Sequence, residues 1–274
     1  MEKPKIGIIT DKFHFEQRLP EFLKYLKSKA DVSIYIEESY LLKNQNLNFN
    51  EDLFFVKGKS KLILALVRLI QDKTSIPVIN SHKGIWLANH RFLNSLMLYK
   101  AGIRVPDFSL IPCNSPESYE DFIIKNIIDQ KRYAFKPKIK KENGHLKIYD
   151  QRALNEVNGG QENYKYFYYQ KFIKSKWEYK VYGLGEKFFF YKQIPFLINP
   201  NKMETRRKIS EILELKEIAF KTMRLMDLKV SSIDFLKSKD GHFYLTDINS
   251  LPNFNYIENG PKIFADFLLE QVKN

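Results

Sequence analysis

Apolar residues fall in short blocks divided by charged punctuation, and the blocks alternate between strand length and helix length. Ile6 to Thr10 predicts a short buried strand. Glu16 to Ser28 predicts an amphipathic helix, with Phe15, Leu19, Phe22, Leu23 and Leu26 on one side, and Val32 to Ile36 a second strand. Leu53 to Lys57, a helix over Ser60 to Asp72, and Pro77 to Asn80 repeat the alternation, so residues 1–84 are expected to form a small parallel α/β domain. Open sheets of this kind bind ligands beyond the carboxyl ends of their strands. Those ends are Thr10-Asp11-Lys12, Lys57-Gly58-Lys59 and Asn80-Ser81-His82.

The pattern then changes. Trp86 to Ala101 predicts one helix stopped by Gly102, with Pro106 beyond it. Next come a strand from Phe108, a helix start at Ser115-Pro116, a strand ending in Phe135-Lys136-Pro137, and a turn at Asn143-Gly144. Tyr166 to Ile173, Trp177 to Leu184 and Lys187 to Gln193 predict consecutive antiparallel strands, with Gly185-Glu186 as a hairpin turn. A long helix over Glu204 to Met226 precedes strands at Val230 to Leu236 and Phe243 to Ile248, joined by Lys239-Asp240-Gly241. A helix over Pro261 to Val272 closes the chain. Residues 85–274 thus form a second, larger domain in this reading.

Composition narrows the function. With 274 residues and 44% hydrophobic content, each domain can bury a core, and a disordered chain is excluded. The longest apolar stretch, Leu62 to Ile70, is interrupted by Arg68 and falls far short of the ~20 residues a membrane helix needs. The amino terminus has no secretory apolar region, so a cytoplasmic protein without membrane contact is expected. Cys113 is the only cysteine, which excludes an intramolecular disulfide, and five scattered histidines do not form a zinc pattern. The 45 Lys and Arg against 32 Asp and Glu leave a charge of +13, which favours an anionic ligand. Tyr164 to Tyr169 and Phe188 to Tyr191 interleave aromatics with lysines as a nucleic-acid surface would, but strand alternation explains both runs and no nucleic-acid partner is expected. A monomer is the working expectation.

The informative chemistry lies near the carboxyl end. If the strands around Ser232-Ile233-Asp234-Phe235 and Thr246-Asp247-Ile248-Asn249 pair through Asp240-Gly241, Asp234 and Asp247 meet on neighbouring strands. The period of two then puts Asp247 and Asn249 on one face. Paired carboxylates in β-branched and aromatic strands are costly without a cation. Two carboxylates and an amide oxygen suit Mg²⁺, which keeps further positions for phosphate and water.

With these landmarks the chain resembles ATP-grasp enzymes over practically its whole length. The resemblance rests on Ala88-Asn89-His90-Arg91 before a helix ending in Ala101-Gly102-Ile103-Arg104-Val105-Pro106, then Phe135-Lys136-Pro137 and Tyr169-Gln170-Lys171-Phe172-Ile173. Tyr179-Lys180-Val181, Asp234 and the Asp247/Asn249 pair complete it. It implies an α/β (α+β) ATP-grasp fold: an N-terminal parallel α/β domain (1–84), a lid over about 105–172, and a C-terminal antiparallel catalytic part over about 173–274. It further implies that ATP is held by Arg91 and Lys136 at its phosphates and by Gln170, Lys171, Phe172 and Ile173 at its adenine, and that Asp234, Asp247 and Asn249 carry Mg²⁺.

Within the family the chain is most similar to kinases of inositol trisphosphate and tetrakisphosphate. The reasons are the D-I-N-x-x-P segment with Asp247 where ligases more often have Glu, Lys180 where peptide ligases tend to carry arginine, and Asn143-Gly144-His145 in place of a glycine-rich loop. The resemblance implies transfer of the γ-phosphoryl group to a hydroxyl of an inositol polyphosphate. Lys12, Lys57, His145, Lys180 and Asn253 would lie around the acceptor, and Lys180 and His145 would orient it. Two departures stand out: Gln193-Ile194-Pro195 follows Lys192 where a basic residue directly precedes proline in the kinases, and Asn253-Phe254 replaces a glycine and an aromatic. The alternative is an ATP-dependent carboxylate-amine ligase working through an acyl phosphate at the same nucleotide site.

Overall fold

The computed structural model describes residues 2–39, 49–112, 121–128, 137–142, 144–150 and 166–272. Within them lie three sheets. The first is parallel, in the order β2-β1-β3-β4, with β1 at Lys5–Thr10, β2 at Asp31–Ile36, β3 at Leu53–Lys57 and β4 at Val78–Ile79. Alternation sorts its faces. Ile6, Ile8, Leu53 and Phe55 pack with Phe22, Leu23 and Leu26 on one side, while Ile9, Phe54 and Val56 pack with Ile63, Val67 and Ile70 on the other. The helices that follow β1 and β3, α1 (Lys12–Arg18) and α3 (Lys61–Lys73), start at the sheet's carboxyl edge, and Asp11 and Ser60 cap their first amides.

Between α1 and α3 the expected single helix over Glu16 to Ser28 is two. Pro20 cannot donate to the preceding turn, so α1 ends at Arg18 and α2 (Pro20–Lys27) starts afresh with proline in its first position. The helix expected over Trp86 to Ala101 also divides, into α4 (His82–Asn89) and α5 (Arg91–Lys100). His90 adopts extended backbone and caps α5 through its ring nitrogen on the Leu93 amide.

The second sheet has the order β5-β9-β6-β8-β7, with β5 at Phe108–Pro112, β6 at Phe122–Lys125, β7 at Pro137–Glu142, β8 at His145–Asp150 and β9 at Tyr166–Lys171. Phe122, Ile124, Tyr149 and Phe167 form its own small core. The helix start at Ser115-Pro116, together with Phe135, Lys136, Asn143 and the Tyr164 end of the aromatic run, lies outside the described residues.

The third sheet is antiparallel, order β12-β11-β10-β13-β14, built from β10 (Glu178–Leu184), β11 (Lys187–Gln193), β12 (Arg207–Lys208), β13 (Val230–Lys237) and β14 (Phe243–Asn249). Gly185, at φ +59°, makes the turn between β10 and β11. The expected antiparallel succession of Tyr166 to Ile173 and Trp177 to Leu184 is corrected here: β9 pairs with β5 and β6 in the second sheet, and the chain crosses to the third sheet before β10 begins. The long helix expected from Glu204 is also shorter. A 3-10 turn at Lys202–Thr205 and the two-residue β12 come first, and α6 runs only over Leu213–Leu225. Leu215, Ala219 and Met223 of α6 cover one face of this sheet, against Val181, Phe190, Ile233 and Phe235. The last helix, α7 (Gly260–Val272), packs on the N-terminal sheet, where Phe264 meets Phe22 and Phe55.

Candidate functional site

The face of the third sheet that carries Asp234 and Asp247 looks across a cavity of about 490 Å³ at the second sheet. Its walls come from β6 (Ile123, Lys125), from the crossing Gln170 to Ser175, from Asp234, Leu236, Thr246 and Asp247 of the third sheet, and from Pro195 to Ile198 with Lys202. Arg91, at the first position of α5, closes one end and donates through a guanidinium nitrogen to the Asn126 carbonyl at 2.8 Å.

The acid pair is placed by a backbone irregularity. Asp234 and Asp247 stand opposite each other in the β13/β14 ladder, but Phe235 pairs with Leu245, so Thr246 is an extra residue on β14. Before the bulge Phe243 and Leu245 face the core, and after it Ile248 does. If Thr246 were paired in a regular ladder, the period of two would put Asp247 on the inward face of Leu245. With the bulge, Asp247 and Asn249 are exposed, and they pair with Asp234 and Ser232 on the cavity side. The Thr246 hydroxyl donates to the Asp234 carbonyl at 3.2 Å and steadies the bulge.

Lys180, across from Asp234 in the β10/β13 ladder, ion-pairs with the Asp234 Oδ1 oxygen, and the two side chains are only 14% and 15% exposed. Burial works against both charges, yet each stabilises the other. The Asp234 carboxyl is held below the usual carboxylate range, with Lys202 and Arg206 assisting Lys180, and the Lys180 ammonium is pushed upward, assisted by Tyr182 and Glu178. Beside them Lys202 meets Glu178 at 3.2 Å, Gln193 bonds to Glu178, and Arg206 donates to Gln193 and to the Tyr182 hydroxyl.

On the opposite wall Gln170 is buried. Its amide donates to the Tyr168 hydroxyl at 3.3 Å, and its oxygen accepts from Lys125 at 2.9 Å. Burial raises the Tyr168 hydroxyl to about 12, so it stays protonated beside Ser95.

The expected site residues therefore separate into two groups. Arg91, Gln170, Lys171, Phe172, Ile173, Asp234 and Asp247 all line the cavity, and Asn249 shares the face of the acid pair. Lys136 lies outside the described residues. The residues expected around an acceptor do not line the cavity. Lys12 is exposed, and its ammonium lies 3.9 Å from Glu16. His145 sits on β8, 3.9 Å from Asp121. The Asn253 oxygen accepts from the Asn255 amide. Lys180 is committed to Asp234 on the third sheet. Lys57, expected as a substrate contact, is 3% exposed, and its ammonium donates to the carbonyls of Leu251 at 2.5 Å and Pro252 at 2.6 Å.

Sequence reasoning missed Lys125, Glu178, Lys202 and Arg206, because a residue's place in a segment does not say which distant side chains it faces. It also missed the pair of Asp11 with His14, where Asp11 accepts from the ring at 2.7 Å and from the His14 amide at 2.9 Å. Burial lowers the His14 ring despite Asp11, with Lys57 and Lys59 adding to the effect. Among the described residues, no three His, Cys, Asp or Glu side chains gather around one point. A cation here would rely on Asp234 and Asp247, with the Asn249 amide oxygen as third donor. That hard-oxygen set fits an ion that keeps other positions for phosphate and water.

No family model and no curated protein matches the chain in sequence. Solved structures do match in fold. The D-alanine–D-alanine ligase from Bacillus anthracis complexed with ATP superposes with a TM-score of 0.68 at 13% identity, covering 98% of this chain and 96% of that one. The ATP-grasp ligase PsnB complexed with minimal precursor, Mg and ADP gives 0.67 at 13% identity over 98% of both chains. The D-cycloserine synthetase DcsG gives 0.65 at 14% identity, covering 98% and 99%. The chain has the ATP-grasp fold, with its parallel, mixed and antiparallel sheets.

Proposed function

We propose that the protein is an ATP- and Mg²⁺-dependent ligase that activates a carboxylate as its acyl phosphate and joins it to an amine. The observation that carries this reading is the composition of the 490 Å³ cavity, which has a backbone crossing on one wall and the registered Asp234/Asp247 pair on the other. ATP-grasp ligases of similar fold hold ATP or ADP, one of them with Mg. An inositol polyphosphate kinase, the function the sequence resemblance favours, has less support. A polyphosphate acceptor needs many cations along one wall, whereas Lys12, Lys57, His145 and Lys180 are dispersed, buried or paired.

In this reading Gln170 to Ile173 offer backbone to the adenine, and Arg91, with Lys136, offsets phosphate charge. Asp234, Asp247 and Asn249 would hold Mg²⁺, which would supply charge neutralisation at the nucleotide phosphates. Lys180 keeps Asp234 ionised and fixed in direction, so the metal-holding oxygen needs no reorganisation. The substrate carboxylate oxygen takes the γ-phosphoryl group and ADP departs. An uncharged amine then attacks the acyl carbon, the C–O bond to phosphate breaks, and one amine proton leaves with the phosphate. Alignment and charge neutralisation supply the rate.

The test is ADP release by purified protein with Mg²⁺ and ATP, with panels of amino acids and short peptides set against a panel of inositol phosphates. Release is expected with the first and not with the second, and the reverse result returns the protein to the kinase reading. Asp247→Asn is expected to lower the stimulated rate by more than ~100-fold, since even residues behind a metal's ligands are worth ~10 to 100-fold.

A further inference from the structure

Lys57 ends β3 on the N-terminal sheet, yet its ammonium lies against the turn that follows Asn249 on the third sheet. A buried lysine bonded only to carbonyls is an expensive way to pack two layers, and apolar side chains would do it at less cost. What a lysine adds is direction. Leu251 is gripped at both ends: its carbonyl accepts from Lys57 at 2.5 Å, and its amide donates to the Asn249 side-chain oxygen at 2.9 Å. Pro252 O accepts from Lys57 at 2.6 Å, and Ser250 O accepts from the buried Asn80 side chain at 2.5 Å. Three successive carbonyls after Asn249 are therefore held by the carboxyl ends of β3 and β4. The Asn249 oxygen, with one lone pair turned to Leu251, is left with the other for a ligand.

We propose that Lys57 is a positioning residue for the metal: through Leu251 it aims the Asn249 amide oxygen and sets how tightly Mg²⁺ is held with the nucleotide. The inference rests on the nucleotide and metal reading above, and extends it to a residue that touches neither ligand. Burial, with the charges of Arg18 and Lys59, lowers the Lys57 ammonium to about 7, and Asp11 acts in the opposite direction.

The experiment is calorimetric binding of the unreactive ATP analogue AMPPNP, with and without Mg²⁺, to the wild type and to Lys57→Met. The wild type is expected to bind more tightly with magnesium. In Lys57→Met the magnesium-dependent gain is expected to fall by ~10 to 100-fold, the loss usual for groups that orient metal ligands. Affinity without magnesium is expected to be unchanged. A merely structural lysine would shift both affinities together or neither, and an unchanged magnesium-dependent gain in the folded variant overturns the proposal. If Lys57→Met does not fold, Lys57→Gln, which keeps an N–H donor, is measured in the same way, and a smaller loss of the same kind is expected; an unaltered gain again overturns the proposal. A wild type that binds AMPPNP with no gain from magnesium sinks the nucleotide and metal reading itself, a failure visible before any variant is made.

Discussion

Lys180 and Asp234 are two charges that water would normally keep, held in a wall where each depends on the other. Lys180→Met leaves a buried carboxylate unpaired and is expected to cost about 3 to 5 kcal/mol near neutral pH. The deficit should shrink on acidification. In the wild type the lowered Asp234 contributes stability that is present above the unfolded carboxylate value and is lost only as pH falls through the still lower folded one. In the variant Lys202 and Arg206 alone oppose burial, so Asp234 takes up a proton earlier and the penalty relaxes. Urea denaturation across pH 3 to 7 measures this, and a deficit independent of pH would contradict the pairing. At this scale the sequence showed the acids but not their partner's role. Two aspartates in apolar strands advertise a cation, whereas Lys180 among 36 lysines does not announce that it faces Asp234 until the β10/β13 register is known.

Elements were legible where periodicity was long and punctuation strong. The strands Leu53–Lys57 and Lys187–Gln193 have the bounds their patterns predict. Boundaries failed where a single residue redirects the backbone: Pro20 between α1 and α2, and His90 between α4 and α5. The bulge at Thr246 is the functional case. Alternation does place Asp247 and Asn249 on a common face, but which face depends on a register shift that neither strand's sequence displays. Inserting one alanine between Thr246 and Asp247 would move Asp247 one register step, opposite Ile233, and is expected to turn it toward Leu215 and Ala219 of α6, lowering stability and removing the magnesium-dependent part of AMPPNP affinity. Unaltered denaturation and binding would mean that something other than the register aims the acid pair.

For the whole molecule, the sequence divides more cleanly than the packing does. The pattern suggests a self-contained parallel domain over residues 1–84, because β-α alternation is a local signal, whereas contacts made by the last helix are not. In the fold one core runs from Ile6, Ile8 and Phe55 through Tyr182, Leu184 and Tyr191 of the third sheet to Phe254, Phe264 and Leu268 near the carboxyl end. Asn80 fastens the same junction with four hydrogen bonds to Lys229, Val230 and Ser250. This continuity governs how the gene can be cut. A fragment starting at residue 85 would carry its intended catalytic half but turn a raw oily surface to water, and it should precipitate or fail to melt cooperatively when expressed alone. Supplying residues 1–84 as a separate polypeptide should rescue it, since the missing half of that surface would be returned. A soluble, sharply melting fragment would show that the two ends of the chain are neighbours by convenience and not by need.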